Sequence, residues 1–291
     1  MNQVYLSMND YENIKKYKKC IGSGVDGSIY KINNSIVYKF YHKGNDFITN
    51  PGAVLDEDGV IISDFKSLRP YNRVTNNEHI YYTDGDGVIL SREEAIFKAI
   101  DKQKDIKLTD LPKKIIYLNN KIVGCEYKYY PQKFGIYASA YLPLKARLII
   151  CKKIMIKVKE LLDNNIYPLT LAQRDDMFPF KKNGSNVLLG HKLEPIIVDL
   201  DGISAMYSNT FSNRYYKQTL VSLSSLILEL LSKVEIADNI EDDEMLINEL
   251  INSIHMAGIS LEYVKKYIDN NMLEFDDLSD IIKSLELKKN R

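Results

Sequence analysis

The stretch "IGSGVDGSIYKINNSIVYKFY", residues 21–41, decides the fold. It places three glycines in the spacing Gly22-x-Gly24-x-x-Gly27, the kind of pattern that brings backbone close to a phosphate. A lone pattern of this type is weak, so its context matters. A dinucleotide fingerprint needs a helix after the last glycine, with its N-terminus facing the pyrophosphate. A Walker loop needs Gly-Lys-Ser/Thr at its end. Neither is present. Gly27 is followed by "SIYKI", the turn "NNS" and "IVYKFY", whose β-branched and aromatic residues predict strand, tight turn and strand. The glycines therefore belong to a hairpin lid whose amides cover phosphates from above.

Residues 1–42 as a whole alternate in short apolar and polar runs, which predicts β hairpins from the first residue onward. Residues 43–90 are rich in Asp, Gly, Asn and Pro and read as an insertion of hairpins and loops. "SREEAIFKAIDKQKD" reads as a helix, with Ser91 and Glu94 as a capping box and Ile96, Phe97 and Ile100 as its apolar stripe. "KIIYLNN" and "KIVGCEYKYY" form a second hairpin, closed by Pro131. Beyond that point the pattern is mostly helical. "LKARLIICKKIMIKVKELLDNN" is a long amphipathic helix, "YYKQTLVSLSSLILELLSKV" a more buried one, and about 240–288 holds two or three short helices. One strand pair, "NVLLGHK" with "EPIIVDLDG", interrupts this half. The expected organisation is α+β with two lobes, a β-rich lobe over 1–130 and a helical lobe over 131–291.

The echo "DEDGVIIS" and "DGDGVILS" raises a calcium loop, because Asp84, Asp86, Gly87, Ile89 and Glu93 fall at EF-hand spacing. Tyr82 at the first ligand position cannot donate a carboxylate, and no helix enters the loop. An Asp-Gly turn feeding a strand is the simpler reading.

Composition narrows the function classes. Hydrophobic residues make up 45% and charged residues 27%, as in globular domains. Lys+Arg and Asp+Glu are both 39, so the zero net charge gives no general pull toward nucleic acid or membrane. Cys20, Cys125 and Cys151 are odd in number and far apart, which points to reduced thiols rather than a disulfide framework or zinc site. The N-terminus lacks the basic start and apolar core of a signal peptide. A cytoplasmic protein is expected.

Taken in order, these motifs resemble the protein-kinase-like superfamily. Gly22, Gly24, Gly27 and Ile29 match its glycine-rich loop, G-x-G-x-x-G-x-V. The resemblance implies a two-lobed kinase-like fold that binds ATP and Mg²⁺. It makes Lys39 the lysine that holds the α- and β-phosphates, and Glu93 the helix glutamate that orients it. "KIVGCEYKYYP" then corresponds to the fifth strand and hinge, with Lys128 to Tyr130 offering backbone groups to adenine. Asn186 and Asp199, thirteen residues apart across a hairpin, correspond to the metal-binding asparagine and aspartate. Amide and carboxylate oxygens are hard ligands suited to Mg²⁺. The family's Asp-Phe-Gly reads Asp199-Leu200-Asp201 here, with an acidic third residue as in several bacterial and small-molecule kinase branches. "TLVSLSSLILELL" resembles the buried central helix, with Thr219 near its usual initial aspartate.

The pattern breaks at the catalytic loop, His-Arg-Asp-Leu-x-x-x-x-Asn in the family. Five residues before Asn186 stands Lys181, which cannot act as a base. A register on "NNIYPLTL" puts Thr170 at the aspartate position. A register on Gln173-Arg174-Asp175 makes Asp175 the base, with extra residues before Asn186, and this is the favoured one. A charged surface loop is the competing reading of "QRDD". The stretch after Asp199 is short and holds no Ala-Pro-Glu, which argues against a conventional protein kinase. The resemblance, specific only as an ordered set of blocks over about half the chain, implies a phosphotransferase acting on a protein hydroxyl or a small molecule. Its alternative is a pseudokinase, a nucleotide-binding or scaffolding module that regulates a partner. AMP transfer is a third option.

Overall fold

The protein is described from a computed structural model, over residues 3–23, 27–42, 54–55, 61–63, 81–83, 89–91, 96–97, 100–102, 105–106, 111–131, 134–168, 171–172, 186–200, 205–207, 212–233, 236 and 244–289. The chain divides into two compact units. The first comprises Met1–Pro131 with Asn164–Ile166 and Asp199–Ser212; the second comprises Gln132–Asp163, Tyr167–Val198 and Asn213–Arg291. The segment that begins at Asp199 thus groups with the strand-rich unit, although it follows the long helix in sequence.

The first unit is built on a six-stranded sheet. Its strands are β1 (Gln3–Leu6), β2 (Lys19–Ser23), β3 (Gly27–Lys31), β4 (Ile36–Tyr41), β5 (Lys114–Leu118) and β6 (Lys121–Lys128), in the order β1-β5-β6-β4-β3-β2. The hairpin at the glycines forms as expected, with Ile29 opposite Lys39 and Tyr30 opposite Tyr38. Asn119 and Asn120 join β5 to β6 with φ of 50° and 62°. A two-residue turn with both centres left-handed matches strand twist, and asparagine tolerates that region.

The all-hairpin expectation for residues 1–42 is corrected between β1 and β2. Helix α1 (Met8–Tyr17) stands there, and β1 pairs in parallel with β5. Ser7 caps it: its hydroxyl accepts from the Asp10 N–H, and the Asp10 carboxylate accepts from the Ser7 N–H in return. Met8, Tyr11 and Ile14 recur every third residue, a helical period that the surrounding lysines obscure. The ring of buried Tyr11 meets Phe40 at 4.8 Å and 60°, in a cluster with Ile116.

The other face of the sheet is packed by Tyr41, Ile115, Tyr117 and Cys125 together with Ile96 and Ile100. The described residues among 96–102 are helical, as their sequence predicts. Phe97 is a correction to the expected stripe, since it is 37% exposed while Ile96 and Ile100 are buried. One position along a helix turns a side chain by roughly 100°, away from a face defined by 96 and 100. Within the expected insertion, Val54–Leu55 pairs with Ile61–Ser63 and Tyr81–Thr83 with Ile89–Ser91. The remainder of the calcium-type loop lies outside the described residues.

The second unit is mainly helical: α2 (Leu144–Asp163), α3 (Ser212–Ser232, whose first residue belongs to the other unit), α4 (Glu244–Met256), α5 (Leu261–Asn270) and α6 (Phe275–Lys289). The expected strand pair, β7 (Val187–Leu189) with β8 (Pro195–Ile197), is antiparallel, and Phe134–Gly135 adds a third strand beside β7. In α3, Leu220, Leu223, Ile227 and Leu230 are buried on one face and Ser224, Leu228 and Glu229 on the others, so the helix runs through a core rather than along a surface. The helix starts at Ser212, three residues before the expected run at Tyr215, and not near Thr219, which is fully buried within it. The Arg147 guanidinium on α2 donates to the carbonyls of Leu230 and Leu231, each at 2.7 Å, and so satisfies orphan acceptors at the α3 C-terminus. Among the described residues, no helix is long and apolar enough to cross a membrane.

Candidate functional site

Lys39 sits in the middle of the sheet, between Ile29 on β3 and Cys125 on β6. Its side chain is 9% exposed. A lysine so far from water needs an anionic partner. Lys39 Nζ donates to Asp199 Oδ1 at 2.5 Å, across 160 residues of sequence. The ammonium also stands 5.6 Å over the ring of Tyr41, whose hydroxyl lies 3.2 Å from Cys125 Sγ. On the opposite sheet face, burial pushes the Tyr38 phenol above its ordinary value, and the carboxylate of Glu126 adds to the shift.

Two glycines fix the backbone that carries Lys39. A Cβ on Gly27 would stand 2.3 Å from the Phe40 carbonyl oxygen, and one on Gly124 would stand 2.0 Å from the Lys39 carbonyl oxygen. Both are impossible contacts with backbone, so β3 and β6 approach β4 this closely only because neither residue has a side chain. Gly22 differs: an added Cβ would meet only Ile29 Cδ1, at 3.9 Å. The glycine run therefore contains residues with separate duties. Gly27 serves strand packing beside the lysine, while Gly22 sits opposite Ile29 just past an irregularity in the β2–β3 pairing. The Ser23 and Ser28 hydroxyls, 3.0 Å apart, tie the two strands together at their glycine end. Gly24 lies outside the described residues.

Asp199 follows β8 and has φ of 64°. The left-handed region is uncommon for a residue with a Cβ, though aspartate enters it more readily than most. Such backbone persists where its surroundings hold it. Here the next residue, Leu200, is buried, and the preceding Val198 N–H donates to the Asn186 carbonyl at 2.8 Å. That bond extends the β7–β8 pairing by one step and fixes the strand end that leads into Asp199. Asn186 stands immediately before β7.

The hinge candidates lie at the end of β6. Lys128 is opposite Ile36, and its Nζ stands 4.9 Å over the Tyr130 ring. The Tyr129 N–H donates to the Ser35 carbonyl at 2.9 Å, and Lys31 Nζ lies 4.5 Å over the Tyr129 ring. Tyr129 thus spends its backbone donor on the β3–β4 turn.

Of the residues read from sequence, the structure brings Lys39 and Asp199 into direct contact and places Gly27 on the adjoining strand and Gly22 on the next one out. Glu93 and Asp175 lie outside the described residues. Two features were missed. Gly124 carries no motif, and only its tight fit against β4 reveals it. The second is Ser222 on α3, whose Oγ accepts from the N–H groups of Leu171 and Ala172 at 2.8 and 3.0 Å. Leu171 and Ala172 are the residues just before Gln173-Arg174-Asp175 in sequence, and both are fixed on the central helix. "VSLSS" offered a signal, since Ser224 and Ser225 on the same run also bond, to the backbone of Leu273 and to the Tyr267 hydroxyl.

No protein-family model matches the chain, and no curated protein matches it in sequence. Among solved structures, the chain is similar to the apo structure of a pseudokinase. The TM-score is 0.54 with 12% identity, over 98% of this chain and 94% of that one. At that identity the likeness concerns the fold, and the fold is kinase-like: a mixed α+β chain with a six-stranded sheet in one part and helices in the other.

Proposed function

We propose that this chain is an ATP- and Mg²⁺-dependent phosphotransferase of divergent kinase type. The observation that carries the reading is the contact between Lys39 and Asp199, a buried ammonium and a carboxylate brought together across 160 residues of sequence beside a glycine hairpin. A purely structural sheet core does not need this pair. Burying two charges is expensive, and apolar residues of similar volume serve stability as well or better. A site for nucleotide phosphates needs both signs, one to receive phosphate oxygens and one to receive the cation that accompanies them.

The donor set fits Mg²⁺. That ion favours one or two carboxylate or amide oxygens and completes its shell with water and phosphate. Asp199 and Asn186 would hold it, and it would supply neutralisation of charge on the β- and γ-phosphates. Lys39 would bind the α- and β-phosphates. Glu93 would keep the ammonium directed, and the amides near Gly22 and Gly24 would cover the phosphates. Lys128 to Tyr130 would border the base, through groups other than the Tyr129 N–H. Asp175 would orient the acceptor hydroxyl and take its proton. As the acceptor oxygen bonds to the γ-phosphorus, the bond to the β–γ bridging oxygen breaks, and ADP leaves with that electron pair. The acceptor is a protein hydroxyl or a small molecule.

The pseudokinase reading draws on one sequence observation, the departure of the catalytic loop from the family pattern between Leu171 and Asn186. One experiment separates the readings. The protein is incubated with Mg²⁺ and either γ-labelled or α-labelled ATP, beside Asp199→Ala and Asp175→Asn. Phosphoryl transfer predicts γ-label on an acceptor, lost in Asp199→Ala and reduced by at least about 10²-fold in Asp175→Asn. Transfer of α-label instead identifies AMP transfer. Nucleotide binding with neither label transferred leaves the pseudokinase function.

A further inference from the structure

The sheet has a concave site on the face opposite Lys39. A cavity of about 160 Å³ lies between α1 and the β3–β4 hairpin. Its walls include Tyr11 and Lys15 from α1, Ser28 and Tyr30 from β3, Phe40 from β4, and His42 just after it. Strand alternation explains the separation. Ser28 is opposite Phe40 and Tyr30 opposite Tyr38, so this set faces α1, whereas Ile29 and Lys39 face the other way. The volume is several times the roughly 30 Å³ share of one water.

The chemistry of this cavity is lopsided. Tyr11 and Phe40 provide an aromatic wall, and Lys15 brings an ammonium that stands 5.0 Å over the Tyr11 ring. Among the described residues no carboxylate lines the cavity, and none pairs with Lys15. Ser28 and Tyr30 add two hydroxyls. The Ser28 hydroxyl can accept from Ser23, which leaves its own proton to donate into the cavity. One ammonium and two hydroxyl donors beside aromatic rings match an oxyanion with several acceptor oxygens on an apolar body.

We propose that this cavity is a binding site for a small phosphate monoester, separate from the nucleotide site. The phosphate group engages Lys15, Ser28 and Tyr30, and the ester's apolar part packs against Tyr11 and Phe40. Its occupant touches Ser28, one residue after Gly27, on the outer side of the hairpin whose inner side carries Lys39. The proposal does not depend on phosphotransferase activity.

Phenyl phosphate and inorganic phosphate are the probes. Each is titrated into the full chain by calorimetry, with amide shifts followed by NMR. The expected result is saturable binding of phenyl phosphate, tighter than inorganic phosphate, with shifts at Lys15, Ser28 and Tyr30. Lys15→Ala, an exposed helix position that folds without difficulty, weakens it about tenfold or more, as does Ser28→Ala, while Lys39→Met leaves it unchanged. Absence of saturation up to millimolar probe overturns the proposal. So does unchanged affinity in Lys15→Ala, or loss of binding in Lys39→Met, which would assign the probe to the nucleotide face.

Discussion

At the scale of single residues, Lys39 and Asp199 are the part of the molecule whose pairing most needs explanation. Their side chains are 9% and 28% exposed, so the ion pair is only partly screened by water. Residues in direct contact of this kind are energetically coupled. Chemical denaturation of Lys39→Met, Asp199→Asn and the double variant, without nucleotide, is expected to give a coupling energy of about 1–3 kcal/mol. Additive effects would show that the contact contributes nothing to the folded state. The lysine itself was legible in sequence, because a strand-turn-strand pattern after the glycines leaves little freedom in where β4 runs. Its partner was not. Asp199 read locally as a metal ligand at a hairpin end, and no local pattern reports that the chain returns 160 residues later to meet Lys39.

At the scale of elements, the glycines divide into those that shape the hairpin and those that let strands approach. Gly27 and Gly124 belong to the second kind, one on each side of β4. Gly124→Ala is expected to destabilise the protein by about 1–3 kcal/mol, since the obstacle is the Lys39 backbone and no side chain can swing away. Thermal or urea unfolding measures this; an unchanged midpoint would contradict the close approach. Gly22→Ala meets only the flexible end of Ile29 and should cost much less. The sequence pattern treated the three motif glycines alike and passed over Gly124, because steric need arises from strand pairing that sequence spacing does not encode. Helix α1 was missed for a related reason. Its short apolar period is carried by few residues among lysines, and its stability comes from Tyr11 packing on Phe40 and from the reciprocal Ser7–Asp10 cap. Long helices such as α2 and α3 were plain, since many periodic residues agree.

At the scale of the whole molecule, the order of elements was legible and the kinase-like fold follows from it, with the six-stranded sheet first and the helices after. Less legible was where segments belong once folded. The stretch from Asp199 to Ser212 joins the strand-rich unit, which is why Lys39 and Asp199 share one compact body. That arrangement underlies the central claim, that the pair is a site for Mg²⁺-bound ATP rather than a structural ion pair. The most direct test is thermal unfolding of the wild type and Lys39→Met across a titration of ATP, with and without Mg²⁺. Binding to the native state raises stability by about 2.7 kcal/mol when ligand reaches a hundred times its dissociation constant. A Mg²⁺–ATP site at this pair gives a Tm that climbs with ATP in the wild type, climbs further with Mg²⁺, and stays flat in Lys39→Met. A flat wild-type Tm, or an equal rise in Lys39→Met, would contradict it.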